Sequence, residues 1–217
     1  MLTTSVWQDT KTFFPLFVDQ LERDGAKTVY VVGASDGKFV VPLAHRGLHV
    51  RAIERDLRAL SGGPVTFPGP RDGTMLGLRG RLAAEHLEAQ VEVIEGDLLD
   101  LDDTPEPADA VWTSCSWHYS ANHDRPLADF INRMKGLCAQ PRGVLGAEFM
   151  MPVEPRHHGI EHYLEAGEVR RYLPGWQILW EAYTPPFVEA PHVEQLNEHV
   201  HRMGLVIARR PEHERES

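Results

Sequence analysis

Thr28-Val29-Tyr30-Val31-Val32-Gly33-Ala34-Ser35-Asp36-Gly37 is the stretch on which the reading of this chain turns. Five β-branched or aromatic residues follow one another without polar alternation and stop at a glycine, which predicts a strand buried on both faces. The glycine-bearing turn after it opens into a helix that is expected to begin near Lys38. Upstream, Phe14, Phe17, Val18 and Leu21 fall at i, i+3, i+4 and i+7. That spacing predicts a helix over residues 12–22 with one face buried, Thr12 as its N-cap and Pro15 in its first turn.

Downstream the same alternation continues. Residues 50–53, 91–94, 109–113 and 144–149 read as short strands ending near polar residues, and Leu127, Phe130, Ile131, Met134, Leu137 and Cys138 repeat with helical period until Pro141-Arg142-Gly143. Strands alternating with helices predict an α/β fold with a doubly wound, mostly parallel sheet and helices on both faces. Residues 176–183 and 205–209 read as an antiparallel pair closing that sheet, separated by a segment containing Pro185, Pro186 and Pro191. Residues 61–80, rich in Gly and Pro, are expected to form a loop, either a functional one or a surface insertion.

Composition narrows the class of partner. At 217 residues with 42% hydrophobic content, the chain fits a single domain over 1–217 with a sizeable core. No stretch approaches the roughly 20 apolar residues that cross a bilayer, and Met1 to Thr10 lacks the pattern of a signal peptide, so a cytoplasmic protein with no membrane partner is expected. A formal charge of -10 repels polyphosphate, so nucleic acid is not an expected partner. Cys115 and Cys138 are not ligand-spaced, which gives no disulfide framework and no zinc motif.

In an open α/β sheet, ligands bind beyond the carboxyl ends of the strands, so the residues just after each strand carry the chemistry. After the first strand, Gly33, Ala34, Ser35, Asp36 and Gly37 form a turn where missing side chains let a ligand approach and a helix N-terminus offers N–H groups. After the second, Glu54 with Arg55 stands 17 residues beyond Gly37, where a carboxylate accepts from both hydroxyls of a ribose. After the third, Gly96-Asp97-Leu98 offers a carboxylate to an adenine amine and an apolar side chain to its ring. Three such features in register read as an adenosine site.

These motifs, Val31 to Gly37, Ala52-Ile53-Glu54-Arg55 and Glu95-Gly96-Asp97-Leu98, resemble the first three motifs of class I methyltransferases that use S-adenosylmethionine (SAM). Gly167 to Leu179 is further similar to the element before the penultimate strand in small methyltransferases of the tellurite-resistance type. The resemblance implies a seven-stranded sheet with an antiparallel last strand, SAM as cofactor and S-adenosylhomocysteine as product, with an N-terminal helical cap over residues 1–24. The chain departs from the family at Val31, where an acidic residue is usual, and at Ser35, where glycine is usual. Asp36 or a water is expected to stand in for the missing acid.

The loop after the fourth strand, Ser114-Cys115-Ser116-Trp117-His118-Tyr119-Ser120, is expected beside the sulfonium. Ser114 is assigned to cofactor binding and His118 to the general base, because neutral imidazole accepts a proton near pH 7; a hydrogen bond to a loop carbonyl is the alternative for His118. His157 is a second catalytic candidate, and Trp7, Trp117, Tyr119 and His158 are candidate substrate contacts. Trp7 and the first helix either fold over the cofactor or pack against the sheet. His192, His199 and His201, with Glu194 and Glu198, raise a metal site that is not adopted: on a helix, positions two apart point in different directions, so a solvated face is expected. The expected function is methyl transfer to O, N or C of a small molecule or short peptide by a monomer or homodimer. Tellurite or thiol detoxification and a non-catalytic SAM-binding module are the alternatives.

Overall fold

The computed structural model describes residues 5–6, 12–67, 71–101 and 106–212; Trp7 lies outside them. The elements run α1 (Phe14–Asp24), β1 (Thr28–Val32), α2 (Val40–Ala44), β2 (His49–Glu54), α3 (Leu57–Ser61), β3 (Gly63–Phe67), β4 (Arg71–Met75), α4 (Gly77–Glu85) and β5 (Val91–Glu95). They continue with β6 (Ala110–Ser114), α5 (Leu127–Leu137), β7 (Val144–Met150), β8 (Gln177–Tyr183), β9 (Phe187–Glu189), β10 (His199–His201) and β11 (Met203–Arg209). The main sheet has the order β5-β2-β1-β6-β7-β11-β8. Its first five strands pair in parallel, and β11 runs antiparallel to both neighbours. The doubly wound, mostly parallel seven-stranded sheet is therefore as expected.

The chain moves outward from β1 to β2 and β5, then returns to β6 on the other side of β1. Strand order reverses there, and the crevice that opens above β1 and β6 is where such sheets bind ligands. Alternate residues feed two cores. Val29 and Val31 join α1 and α2 on one face, whereas Tyr30 and Val32 join α5 on the other. All seven residues of β7 are buried, which is why its sequence shows no polar alternation.

Several expectations are corrected. The first helix begins at Phe14 with Phe13 as N-cap and no side-chain cap, so Thr12 does not serve. Its apolar stripe lies on the sheet rather than over the crevice: the Phe17 ring packs tilted against Trp112 with centroids 4.6 Å apart, and a side chain at Gly146 would come within 2.5 Å of the Phe17 ring. α2 begins at Val40, two residues past Lys38, and spans only five residues. The described part of residues 61–80 is not a loop; Gly63–Phe67 and Arg71–Met75 pair antiparallel, and α4 starts at Gly77. The strand expected from Asp109 begins at Ala110. Asp109 instead accepts from the backbone N–H groups of Lys27 (2.8 Å) and Thr28 (2.9 Å), pinning the start of β1.

The largest correction concerns the tail. The histidines between β8 and β11 do not lie on a helix, because Phe187–Glu189 and His199–His201 pair as a two-stranded antiparallel sheet.

Candidate active site

A cavity of about 620 Å³ opens at the carboxyl ends of β1, β2, β5, β6 and β7. Gly33, at φ +69, begins its floor; a side chain there would lie 2.9 Å from the Ser116 Cβ, so only glycine fits. Ala34 and Ser35 continue the floor, and Ser35 holds φ +50, a left-handed conformation that glycine favours. The N–H groups of Gly33, Ala34, Ser35 and Gly37 are occupied. Gly33 and Ala34 N–H donate to the Ile53 carbonyl at 3.0 and 3.1 Å, and Gly37 N–H donates to the Ala34 carbonyl. These four N–H groups are therefore not offered to a ligand.

Asp36 and Gly37 do not line the cavity. Asp36 is buried and accepts from Ser5 Oγ and Val6 N, both at 2.7 Å, while its carbonyl accepts from Arg81 Nη1. It fastens the N-terminal segment to α4 and does not replace the acid missing at Val31, which is itself buried in the core. Gly37 gives room to Leu78, whose Cδ1 would lie 2.7 Å from an added Cβ.

Glu54 ends β2 inside the cavity and is almost fully buried. One carboxylate oxygen accepts from Ser35 N at 2.7 Å and the other from Asp56 N at 2.8 Å. Two backbone bonds fix its direction and leave about two of its roughly four acceptor positions for a ligand. Asp97 and Leu98 follow β5 on the same wall, with Arg55 beside them. Arg55 Nη1 donates to Asp97 at 2.7 Å and Leu99 N–H donates at 2.9 Å. Burial pushes the Asp97 carboxyl up, but these donors outweigh it and hold it below its ordinary value, so it is an anion at neutral pH.

The wall beyond β6 and β7 carries Ser114, Cys115, His118 and Tyr119. Ser114 Oγ donates to Glu148, a buried carboxylate on β7 that also accepts from Phe13 N at 2.9 Å. Burial raises the Glu148 carboxyl against those donors. His118 sits deep; burial first, then the neighbouring His201, His123 and His157 imidazoles, lower it to about 4 against a backbone contact from Cys115. The ring is neutral at pH 7, and its basicity is weaker than that of a free histidine. Tyr119 donates to Glu194 at 3.0 Å, and burial raises both groups.

The other candidates lie elsewhere. Trp117 is buried and stacks on Phe149 at 6.1 Å, a core role rather than a substrate contact. His157 accepts at Nδ1 from Val153 and Glu154 N–H, both at 3.3 Å, and stacks on Tyr163; it borders a smaller neighbouring cavity, not the main one. His158 is exposed, 3.6 Å from Glu165. Glu148, Glu194 and the hairpin group Glu189, His192, His199 and His201 line the main cavity, and the sequence reading gives none of them a place there. For the second strand of the hairpin a signal exists: His199-Val200-His201 alternates polar and apolar with period two, and on a strand residues two apart share a face.

The sequence matches no family model and no curated protein. Among solved structures, the chain is similar to TehB from Haemophilus influenzae at 14% identity and TM-score 0.66, over 94% of this chain and 64% of TehB. It thus spans less than two thirds of that relative. It is also similar to Burkholderia thailandensis 1,6-didemethyltoxoflavin-N1-methyltransferase with bound S-adenosylhomocysteine, at 14% identity and TM-score 0.61 over 95% of this chain and 81% of that one. The [4+2]-cyclase SpnF matches at 15% identity and TM-score 0.61, over 91% and 80%. With the strand order, the single antiparallel strand and the crevice above β1 and β6, these likenesses establish that the chain has the class I methyltransferase fold.

Proposed function

We propose that this chain is a SAM-dependent methyltransferase acting on O, N or C of a small molecule or short peptide. The observation that carries the reading is that Gly33, Glu54 and Asp97, from three separate strand ends, line one cavity that continues to His118 and Tyr119. A nucleoside fits the chemistry of that wall. Glu54 has acceptor positions left for ribose hydroxyls, Asp97 is an anionic acceptor near an adenine amine, and Leu98 supplies apolar surface. SAM held by Glu54, Asp97 and Leu98 would supply an electrophilic methyl group, the carbon–sulfur electron pair staying on sulfur, and the acceptor's proton, where present, would pass to a base of this chain.

The protein's task is chiefly alignment of acceptor and methyl carbon. His118 is the group to receive a proton at a ring nitrogen. Its low basicity suits an acceptor whose proton grows acidic as the new bond forms. Ser114 and Glu148 hold the wall opposite the nucleoside, and Arg55 keeps Asp97 in place. The accompanying reading is a cytoplasmic single-domain enzyme with a metabolite or peptide as partner, working as monomer or homodimer. Among the described residues no helix is long and apolar enough to cross a membrane.

A second reading is a SAM-binding protein that does no methyl transfer; SpnF, a [4+2]-cyclase of like fold, and the apolar Val31 favour it. Detoxification of tellurite or thiols is a narrower form of the first reading, supported by the likeness to TehB and the sequence of residues 167–179. Calorimetric titration with SAM and S-adenosylhomocysteine, followed by transfer from methyl-labelled SAM to candidate acceptors, separates these. Cofactor binding with turnover supports the enzyme, binding without turnover the second reading, and no heat at millimolar cofactor removes both.

A further inference from the structure

Four side chains of the segment between β8 and β11 turn their ligating atoms toward one point. Glu189 ends β9 and stands opposite His199 in the β10 register, while His201 lies two residues on along the same face. His192 reaches in from the connecting turn. One carboxylate oxygen and three imidazole nitrogens lie within 4.8 Å of one another. Glu189 Oε2 is 2.8 Å from His201 Nε2, 3.5 Å from His199 Nε2 and 3.8 Å from His192 Nε2, and the last two nitrogens are 3.2 Å apart. A tetrahedral ion bound at about 2.0–2.1 Å separates its ligands by roughly 3.3–3.4 Å, so these spacings bracket what such an ion requires.

We propose that Glu189, His199 and His201, with His192 as a displaceable fourth ligand, form a binding site for a divalent first-row transition ion such as Zn2+ or Co2+. Imidazole nitrogen and a single carboxylate suit that class of ion and not Mg2+ or Ca2+, which take oxygen ligands. An ordinary ion pair explains the group poorly, because one carboxylate satisfies one imidazolium while three rings converge on it. The outer contacts support ligation by Nε2. His199 Nδ1 donates to the Asn197 carbonyl at 2.9 Å, which leaves the Nε2 lone pair aimed at the centre.

His192 differs from the other three. Its Nδ1 accepts from Glu194 N–H at 3.3 Å, so its Nε2 carries the proton and donates to His199. Ligation by His192 requires that proton to move to Nδ1 and the Glu194 contact to break. His201 Nε2, 2.8 Å from Glu189 Oε2, also gives up its proton when both bind the ion, whereas His192 must in addition break its Glu194 contact, so His192 is the ligand most readily displaced by an outside donor. All four side chains border the cavity that holds Glu54 and His118. An acceptor with an oxygen, nitrogen or sulfur donor can thus reach the ion from the methyl-transfer side. That last step rests on the methyltransferase reading; binding of the ion does not.

The test uses tag-free full-length protein, stripped with chelator and titrated with Co2+, then Zn2+, with S-adenosylhomocysteine binding measured separately on the same sample. The expected result is one Co2+ per chain with the visible absorption of a four-coordinate ion, displaced by Zn2+. Glu189→Gln and His201→Ala are expected to lose that absorption while keeping the wild-type melting curve and S-adenosylhomocysteine affinity. His192→Ala is expected to retain the ion with at least about 10-fold weaker binding, since removing a ligand costs no less than removing an outer contact, a loss of about 10–100-fold. No uptake by the wild type at hundredfold excess of Co2+, or equal uptake by Glu189→Gln and His201→Ala, overturns the site. Ion binding without S-adenosylhomocysteine binding would leave the metal site standing and remove the methyltransferase reading.

Discussion

The two ends of the cavity are built differently. At the end proposed for the nucleoside, Gly33, Glu54 and Asp97 each sit at or just beyond the end of a core strand, so the sheet that sets the fold also sets their positions. At the end proposed for the acceptor, His118 and Tyr119 come from the loop after β6, and Glu189, His192, His199 and His201 from a small hairpin outside the main sheet. The first end inherits its geometry from β1, β2 and β5 in register. The second is an addition whose shape depends on pairing between short, separate pieces of chain. The nucleoside end is thus expected to be the common part of the fold, and the acceptor end the part that gives this chain its own substrate.

Mutations and pH can break that division of labour. The largest effect is expected at the acceptor end: His118→Ala should lower turnover by about 10²–10⁴-fold, the usual worth of a positioned proton acceptor, with SAM affinity unchanged. Steady-state kinetics beside a cofactor titration measures both, and equal turnover would leave His118 a structural role only. The same residue couples stability to acid. Its folded value is lowered to about 4 from 6.5, so the unfolded chain takes up the proton first. The stability that it contributes is complete above pH 6.5 and is lost as pH falls toward 4, by about 3 kcal/mol. Denaturant unfolding of wild type and His118→Asn between pH 7 and 4 reads this; parallel pH curves for the two would contradict the burial of that ring.

Smaller effects are expected at the nucleoside end. Glu54→Ala should weaken SAM by about 1.5–3 kcal/mol, the cost of hydrogen bonds to a charged acceptor. Normal affinity in that variant would mean that the ribose lies elsewhere. Asp97→Asn keeps an acceptor oxygen but loses the charge paired with Arg55, so a loss of about 0.5–1.5 kcal/mol is expected. A decrease as large as that of Glu54→Ala would reverse the order of the two carboxylates.

The same division explains how much of the molecule is legible in its sequence. β1, β2, β5, β6 and β7 announce themselves because strands buried on both faces are nearly all apolar, and the residues that end them are then fixed in space. Glu54, Asp97 and Leu98 are readable for that reason. Asp36 and Gly37 are not, because a turn's sequence does not say which side faces the cavity; Arg81 and the N-terminal segment claim Asp36, and Leu78 fills the space beside Gly37. The hairpin of residues 63–75 is hidden by its glycines and prolines. For His199 and His201 a helical period gives the wrong geometry, and the period matters because it decides whether two residues share a face. Glu189 is out of reach of the sequence, since only the β9–β10 register brings it opposite His199.

The most direct measurement is a crystal structure with S-adenosylhomocysteine. The expected result has both ribose hydroxyls within hydrogen-bond distance of the Glu54 carboxylate, the adenine amine facing Asp97 and the sulfur on the side of the cavity that holds Ser114 and His118. A nucleoside bound elsewhere, or one in this cavity that touches neither Glu54 nor Asp97, would contradict it.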